Sequence, residues 1–450
     1  MIEIIPMETP TLGDRSYLVT DGTTAFVVDP QRDIDRMLEP ARSRDLRITH
    51  VFETHIHNDY VTGGPALAEA TGAAYHVNAD DPVRFEHSPV RDGDVIEVGP
   101  RMRVRALATP GHTHTHLSYV LESGGEAVAV FTGGSLLYGS TGRPDLLGPD
   151  HTDALARAQH RTARRLADEL PDDTEVYPTH GFGSFCSSTQ SDATRSTIGR
   201  ERKTNPVLTQ DEREYVETLL AGLDAYPAYY AHMSPRNLDG PGAPDLSEPR
   251  RADAAELRRR LQDGEWVVDL RSRKAFAAGH LGGAFNFGLD GSFATYLGWL
   301  IPWGTPVSLL AETPDEIAEA QRELVRIGIE RPASAASGDP SGWTGGAPLS
   351  EVGLGTFDEL AAVRHHRTVT VLDVRRNDEW RRSHLPGAVH VPLHELLSRL
   401  DEVPEGEVWV HCATGYRSAI AGSFLAAAGR RVVVVDDDFA NAAPYVRKAD

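Results

Sequence analysis

The chain has 450 residues, enough for about three domains at roughly 150 residues each. Its 40% hydrophobic and 25% charged residues, with 41 Gly and 29 Pro, exclude a chain dominated by disorder, and a formal net charge of -21 excludes a large nucleic-acid footprint, which needs a clustered basic surface. The opening MIEIIPMETPTLGDRSYLV lacks a basic stretch followed by an apolar core, and no segment approaches the roughly 20 apolar residues that cross a bilayer, so a cytoplasmic protein with no membrane partner is expected.

Residues 1–125 carry short β-prone runs (SYLVT, TAFVVD, THVFETH, AAYHVN, MRVRALATP and LSYVLE) separated by turn signals, with helical spacing in DIDRMLEPARSR and GPALAEATG. A mixed α/β domain is predicted. HTDALARAQHRTARRLADEL predicts a further helix, and TEVYPTHGFGSF a return to strand and loop. NLDGPGAPDLSEPR, residues 237–250, reads as a linker. Beyond it, VVDLRSRKAFAAGHLGGAFNF (267–287) aligns without gaps to VLDVRRNDEWRRSHLPGAVHV (371–391), matching Asp269 with Asp373, His280 with His384 and Gly283 with Gly387. This internal repeat predicts two copies of one small domain, each built from parallel βαβ units and joined through the Gly/Pro/Ser-rich ASGDPSGWTGGAPLSEVG.

A lone histidine is usually structural. ETHIHNDYVTGG, however, places His55 and His57 at alternate positions after an apolar strand, where both can face one ion, with Asp59 beside them. TPGHTHTHLSY adds His112 and YPTHGFGSF adds His180, each at a strand end, and the set points to a metal centre. His114 and His116 are not counted as ligands; they are read as donors orienting His112, or as exposed. Cys186, six residues after His180, is either an inert packed thiol or a thiol at a substrate pocket. With only Cys186 and Cys412 present, a disulfide framework is excluded and each is read as a separate thiol.

On these residues, 1–235 resembles the metallo-β-lactamase fold, in the branch that holds glyoxalase II and the persulfide dioxygenases. The pattern of that branch is His-x-His-x-Asp-His, a His in Pro-Gly-His-Thr, an Asp in Phe-Thr-Gly-Asp and a final His. This chain supplies His55, His57, Asp59, His112 and His180, and departs with Tyr60 and with Gly134, the latter in VFTGGSLLYGSTGRPDLLG. The resemblance implies that a two-zinc hydrolase would build its second metal position from Asp59, residue 60, residue 134 and His180. Tyrosine seldom binds zinc and glycine has no side chain, so that centre is disfavoured. The first position, His55, His57 and His112, survives. By resemblance to the persulfide dioxygenases it holds Fe(II), with zinc as the alternative, and the facial triad of that family would be His55, His112 and residue 134. Four outcomes stay open for the place of the missing carboxylate: His57 fills it, Asp59 fills it, a substrate sulfur fills it, or the chemistry is lost. Asp59, His180 and Cys186 are assigned to a second metal position or the substrate pocket.

VWVHCATGYRSAIAGSFLAAAG (408–429) runs an apolar strand into Cys412, then a six-residue loop, then a helix expected to begin near Ser418. Gly415 lets the loop curl so that backbone N–H groups face the sulfur, while the helix N-terminus and Arg417 favour an anion there. This resembles the active loop of the rhodanese family. The resemblance implies Cys412 as the persulfide-carrying nucleophile, Arg417 as anion stabiliser, and Ala413, Thr414, Gly415 and Tyr416 as the surrounding loop. Aligning Gly328 with Gly429 sets AETPDE (311–316) against CATGYR, so Ala311 replaces the nucleophile and Glu316 the arginine. The first copy is therefore expected to be silent, a spacer or docking surface.

The whole chain is similar to the fused persulfide dioxygenase–sulfurtransferases: an α/β multidomain protein with a metallo-β-lactamase αββα sandwich at 1–235, a linker at 236–250, an inactive rhodanese-like domain at 251–345, a linker at 346–353 and an active one at 354–450. The implied function is oxidation of a low-molecular-weight persulfide to sulfite at iron, coupled to sulfane-sulfur transfer through Cys412. The implied partners are a small thiol persulfide and sulfite or thiosulfate, and a homo-oligomer is compatible with this. The alternatives are a zinc-dependent thioester hydrolase, and a sulfurtransferase whose metal-fold domain only docks.

Overall fold

Along the strand Met102–Ala108, Met102, Val104 and Ala106 are buried, while Arg103 and Arg105 point outward and pair with Glu122 at 2.6 and 2.9 Å. That alternation belongs to a sheet with one dry face. The strand Thr24–Val28 is instead buried at every residue, because both of its faces are covered. Phe26 and Val28 pack between the two sheets with Tyr17, Phe52, Tyr119 and Phe131, while Ala25 and Val27 pack toward helices with Met37, Ala41 and Leu67.

The computed structural model describes residues 2–189, 193–445 and the backbone of 447–448. The chain divides into two units, Met1–Asp245 with Val325–Gly328, and Leu246–Leu324 with Ile329–Asp450. The first unit is an αββα sandwich. One six-stranded sheet runs, in spatial order, Glu3–Thr9, Asp14–Thr20, Thr24–Val28, Arg47–Phe52, Ala74–Asn78 and Ser88–Val90. The other runs Ser196–Thr197, Glu175–Pro178, Glu126–Gly133, Leu117–Ser123, Met102–Ala108 and Val95–Gly99. The helices Asp35–Ser43 and Gly64–Thr71 pack on the first sheet, and Pro149–Glu169 packs on the second through Leu155, Ala156, Ala163, Leu166 and Ala167, a helical stripe opened by Pro149 in the first turn. Cores of this kind sit between and outside the two sheets, so the loops at one end of the strands are free to carry polar residues.

The segment expected as a linker from residue 236 is helical at its start: Tyr230–Asp239 is one helix ended by Gly240 at φ 75°. It contributes Asn237, whose side chain donates to His57 O at 2.9 Å and Tyr60 O at 2.8 Å and accepts from Thr62 N–H at 2.9 Å. Composition marks this stretch as a linker, yet one buried amide ties it to the histidine loop.

The second unit holds both repeats. The first builds a parallel four-stranded sheet in the order Phe285–Asn286, Trp266–Asp269, Val307–Ala311, Ser334–Ser337. The second builds a parallel five-stranded sheet in the order Gly353–Gly355, Arg431–Val435, Glu407–His411, Thr370–Asp373, Val389–His390. The repeated residues do repeated work. Arg271 grips Asp269 and Arg375 grips Asp373, each at 2.6 Å, and the same guanidinium atoms reach Gly279 O and Ser383 O, each at 2.8 Å. His280 Nδ1 meets Phe276 O at 2.9 Å, and His384 Nδ1 meets Trp380 O at 3.1 Å.

Candidate metal centre and sulfur site

The strand Arg47–Phe52 ends three residues before His55, so His55, His57 and Asp59 follow the C-terminal end of an interior strand and are buried. Three imidazoles converge. His55, His112 and His180 bring ring nitrogens within 4.8 Å of one another, with His55 Nε2 and His180 Nε2 3.4 Å apart. The far nitrogen of each ring is held by the protein: His55 Nδ1 by Thr54 Oγ1 at 2.9 Å, His112 Nδ1 by Arg143 O at 2.8 Å, and His180 Nδ1 by Asp14 Oδ1 at 2.9 Å. Such partners set the ring orientation that presents the opposite nitrogen to an ion.

A second triad, His57, Asp59 and His180, shares His180 with the first. Nε2 of His57 faces Tyr60 OH at 2.9 Å, Glu53 Oε1 at 3.3 Å and Asp29 Oδ1 at 3.4 Å, which leaves Nδ1 toward Asp59. Among the described residues, His57 Nδ1, His112 Nε2 and both Asp59 oxygens are buried without a hydrogen-bond partner. Buried polar atoms are rarely left so unless something else binds them. Imidazole nitrogens with one carboxylate match a borderline transition metal such as iron or zinc, so the donor set fits the expected ion.

Charge follows from the same packing. Burial drives His55 well below its ordinary range, and burial with the neighbouring His180 takes His112 down to about 3, so both rings keep a free lone pair. Burial also opposes charge on His57 and His180, but carboxylates outweigh it: Asp29 and Glu53 raise His57 to about 9, and Asp59 and Asp14 raise His180 to about 10. A metal ion competes with those protons for the same nitrogens.

The structure groups the histidines differently from the expected His55, His57, His112 set, with His180 in the centre and His57 turned toward Asp29 and Glu53. Tyr60, Asp29 and Glu53 together engage Nε2 of His57, and the spacing of the motif reveals neither acid. Gly134 is packed against the His112 ring: a Cβ there would lie 2.3 Å from His112 Cδ2 and 2.6 Å from Cγ. His116 does not orient His112; its Nδ1 meets Thr109 Oγ1 at 2.9 Å and its Nε2 accepts the Gly134 N–H at 3.0 Å. His114 is exposed and meets His151 at 3.3 Å. Cys186 is fully buried, and burial, reinforced by Asp59, pushes its thiol well up. Its backbone matters more: Cys186 O accepts from Arg143 N–H at 2.8 Å, which sets the carbonyl that holds His112.

In the second unit, the buried strand Glu407–His411 delivers Cys412, which is 1% exposed. Gly415, at φ 99°, donates its N–H to Cys412 Sγ at 3.2 Å, and Sγ lies 3.5 Å from Ser418 Oγ. The helix begins at Tyr416 rather than near Ser418, because the left-handed Gly415 already turns the chain into it; Tyr416 and Arg417 therefore stand on the first turn. Ala413 O accepts from Phe439 N–H at 2.8 Å, which anchors the loop beside Thr414. Arg417 makes a bidentate pair with Glu379 at 2.6 and 2.8 Å, so its charge is compensated and its fork is held in one place. No spacing rule links residues 379 and 417.

In the first copy, Ala311 ends the strand Val307–Ala311, and Glu316 folds back so that Oε2 accepts the N–H groups of Glu312 at 2.9 Å and Thr313 at 3.0 Å. Loss of the nucleophile and of the arginine is thus only part of the difference. The chain's own carboxylate occupies the amides that an anion would need.

Family profiles match the metallo-beta-lactamase superfamily over residues 12–180 and a rhodanese-like domain over 253–344 and 356–442. A hydroxyacylglutathione hydrolase of Polaromonas sp. is 34% identical over 171 residues, 37% of this chain and 62% of that protein. One of Gloeobacter violaceus is 30% identical over 237 residues, 47% of this chain and 88% of that protein. The mitochondrial persulfide dioxygenase ETHE1 of Homo sapiens is 28% identical over 209 residues, 46% of this chain and 74% of that protein. Among solved structures, a metallo-beta-lactamase from Staphylococcus aureus subsp. aureus COL superposes with a TM-score of 0.67 at 26% identity, covering 75% of this chain and 99% of that one.

Proposed function

This chain belongs to the metallo-beta-lactamase superfamily and carries two rhodanese-like domains behind that fold, and on that premise we propose that it oxidises a low-molecular-weight thiol persulfide to sulfite and moves sulfane sulfur through Cys412. The metal chemistry is assigned to residues 1–235, sulfur transfer to 354–450, and the silent copy to 251–345. In the overall reaction the persulfide, O2 and water give the thiol, sulfite and two protons. Fe(II), when bound, would supply O2 binding and a route for electrons from the sulfane sulfur to O2.

The single observation that carries the reading is the buried His112 Nε2, without a hydrogen-bond partner among the described residues, in a group of three converging imidazoles with Asp59 paired to one of them, His180, at 3.2 Å. His55, His112 and His180 would hold the ion, with Asp59 as the nearest carboxylate. Thr54, the Arg143 carbonyl and Asp14 fix the rings, and Glu53 and Asp29 hold the proton on His57 Nε2. Cys412 would accept the sulfane sulfur, with the Gly415 N–H toward the sulfur and Arg417 beside it.

The second triad of His57, Asp59 and His180 favours one other reading, a zinc-dependent thioester hydrolase like the hydroxyacylglutathione hydrolases it resembles. Tyr60 and Gly134 count against it, since neither adds a usual ligand to that triad. The deciding experiment is O2 uptake by iron-loaded Cys412→Ser protein given a small-molecule persulfide, beside hydrolysis of a glutathione thioester by the zinc-loaded protein. Uptake that His112→Ala abolishes supports the dioxygenase; thioester turnover without O2 uptake replaces it with the hydrolase.

A further inference from the structure

The silent copy reaches the active loop of its neighbour within the second unit. Tyr416 donates its OH to Gly288 O at 2.9 Å. Gly291 has no room for a Cβ, which would fall 2.3 Å from the Tyr416 ring. Arg273, on the first turn after the repeat's Asp269–Arg271 pair, sends Nε to Asp436 Oδ1 at 2.5 Å and Nη1 to Asp290 Oδ2 at 3.1 Å. It passes so close to the loop that a Cβ on Gly415 would lie 3.0 Å from Arg273 Nε and 2.6 Å from Asp436 Oδ1. Gly415 is therefore required twice, for its positive φ and for the approach of this ion pair.

We propose that Arg273, contributed by the silent copy, is a positioning residue for a small sulfur oxyanion such as thiosulfate at Cys412. This rests on the sulfurtransferase reading of Cys412. In the transfer, the Cys412 thiolate bonds to the outer sulfur of thiosulfate, the S–S bond breaks, and its electron pair leaves with sulfite, so a dianion arrives and a dianion departs while the enzyme keeps one negative charge. Arg417 spends two of its five N–H donors on Glu379, and Arg273 spends two on Asp436 and Asp290, so each guanidinium keeps donors for an anion. Arg273 is the second cation at the loop, and it also shields the incoming anion from Asp436. Removing it leaves the Asp436 carboxylate with Lys274, 3.7 Å away, as its remaining ion-pair partner among the described residues.

The test uses the full chain and its Arg273→Gln and Arg273→Lys variants, with two probes of the Cys412 thiol: the anion iodoacetate and the neutral iodoacetamide. Arg273→Gln is expected to lower the iodoacetate rate about tenfold while changing the iodoacetamide rate less than twofold, and to raise KM for thiosulfate about tenfold with kcat within about threefold. Arg273→Lys is expected to restore most of the iodoacetate rate, which keeps the test decisive should the glutamine variant fold poorly. Equal slowing of both reagents, or an iodoacetate rate that does not depend on charge at residue 273, overturns the proposal. Charge-selective alkylation without thiosulfate turnover would retain Arg273 as the anion guide and overturn the sulfurtransferase reading instead.

Discussion

His112 and Gly134 occupy one space: a Cβ on residue 134 would lie 2.3 Å from His112 Cδ2, and one on Gly142 would lie 2.6 Å from His112 Nδ1. The imidazole is seated between two glycines, and the position at which the family resemblance leads one to expect an aspartate is closed by the ring itself. Restoring the acid therefore should not restore its role. Gly134→Asp and Gly134→Ala are both expected to destabilise the first unit by about 1–3 kcal/mol through overpacking and to lower metal affinity. Thermal denaturation together with metal titration checks this; a Gly134→Asp variant that gains metal at unchanged stability would refute the packing argument.

His180 lies in both of these triads, so its loss should cost at least as much as that of any single neighbour. His180→Ala is expected to remove bound iron or zinc as completely as His112→Ala, and Asp14→Asn to weaken binding about 10–100-fold by freeing the ring. Exposed His114→Ala serves as the control and should leave affinity unchanged. Competition with a chelator measures all four.

Placing a nucleophile in the silent copy should fail for a stated reason. In a Cys412→Ser background, Ala311→Cys is expected to show no thiosulfate turnover, because Glu316 already takes the Glu312 and Thr313 N–H groups. Measurable sulfur transfer by that double variant would mean that the carboxylate yields its place easily.

Acid should weaken the Cys412 domain through Glu379. Burial works to raise this carboxyl, but the bidentate Arg417 overrides it and holds it at about 2, below the ordinary 4.5. A depressed carboxyl contributes stability above the unfolded value, and that contribution is lost as pH falls from about 4.5 toward 2. The pair is worth about 3 kcal/mol at neutral pH on this basis. Glu379→Gln should therefore be less stable at pH 7 and should converge with the parent as acid is added, read from thermal transitions across that range. A gap independent of pH would rule out this linkage.

Cys186 should be inert in the folded chain. It is fully buried, and burial pushes its thiol up. A thiol-specific chromogenic reagent is expected to find no reactive group in native Cys412→Ser protein and one after denaturation. Rapid native labelling would place Cys186 at an open pocket.

A mixed α/β first domain, the two parallel repeats and the strand–Cys412–Gly415–helix turn can be expected from residue order, because each depends on local periodicity or on contiguous motifs: alternating apolar strands, a gap-free repeat and a loop within six residues; the αββα sandwich is expected only through the family resemblance. The four histidines that gather in the first unit, His55, His57, His112 and His180, likewise stand in short motifs, but which three converge is not readable there. What lies beyond reach is every partner brought in from far along the chain. Asp14 to His180, Glu53 and Asp29 to His57, Arg143 O to His112, Glu379 to Arg417 and Arg273 to Asp436 are contacts that no spacing encodes. The linker boundary is misplaced by composition, which cannot show that Asn237 caps the histidine loop. Residue types and their local order determine which atoms are available for chemistry. Only the tertiary structure decides which are neutral, which are paired and which remain open to a ligand, since burial and the arrival of remote charges set those states.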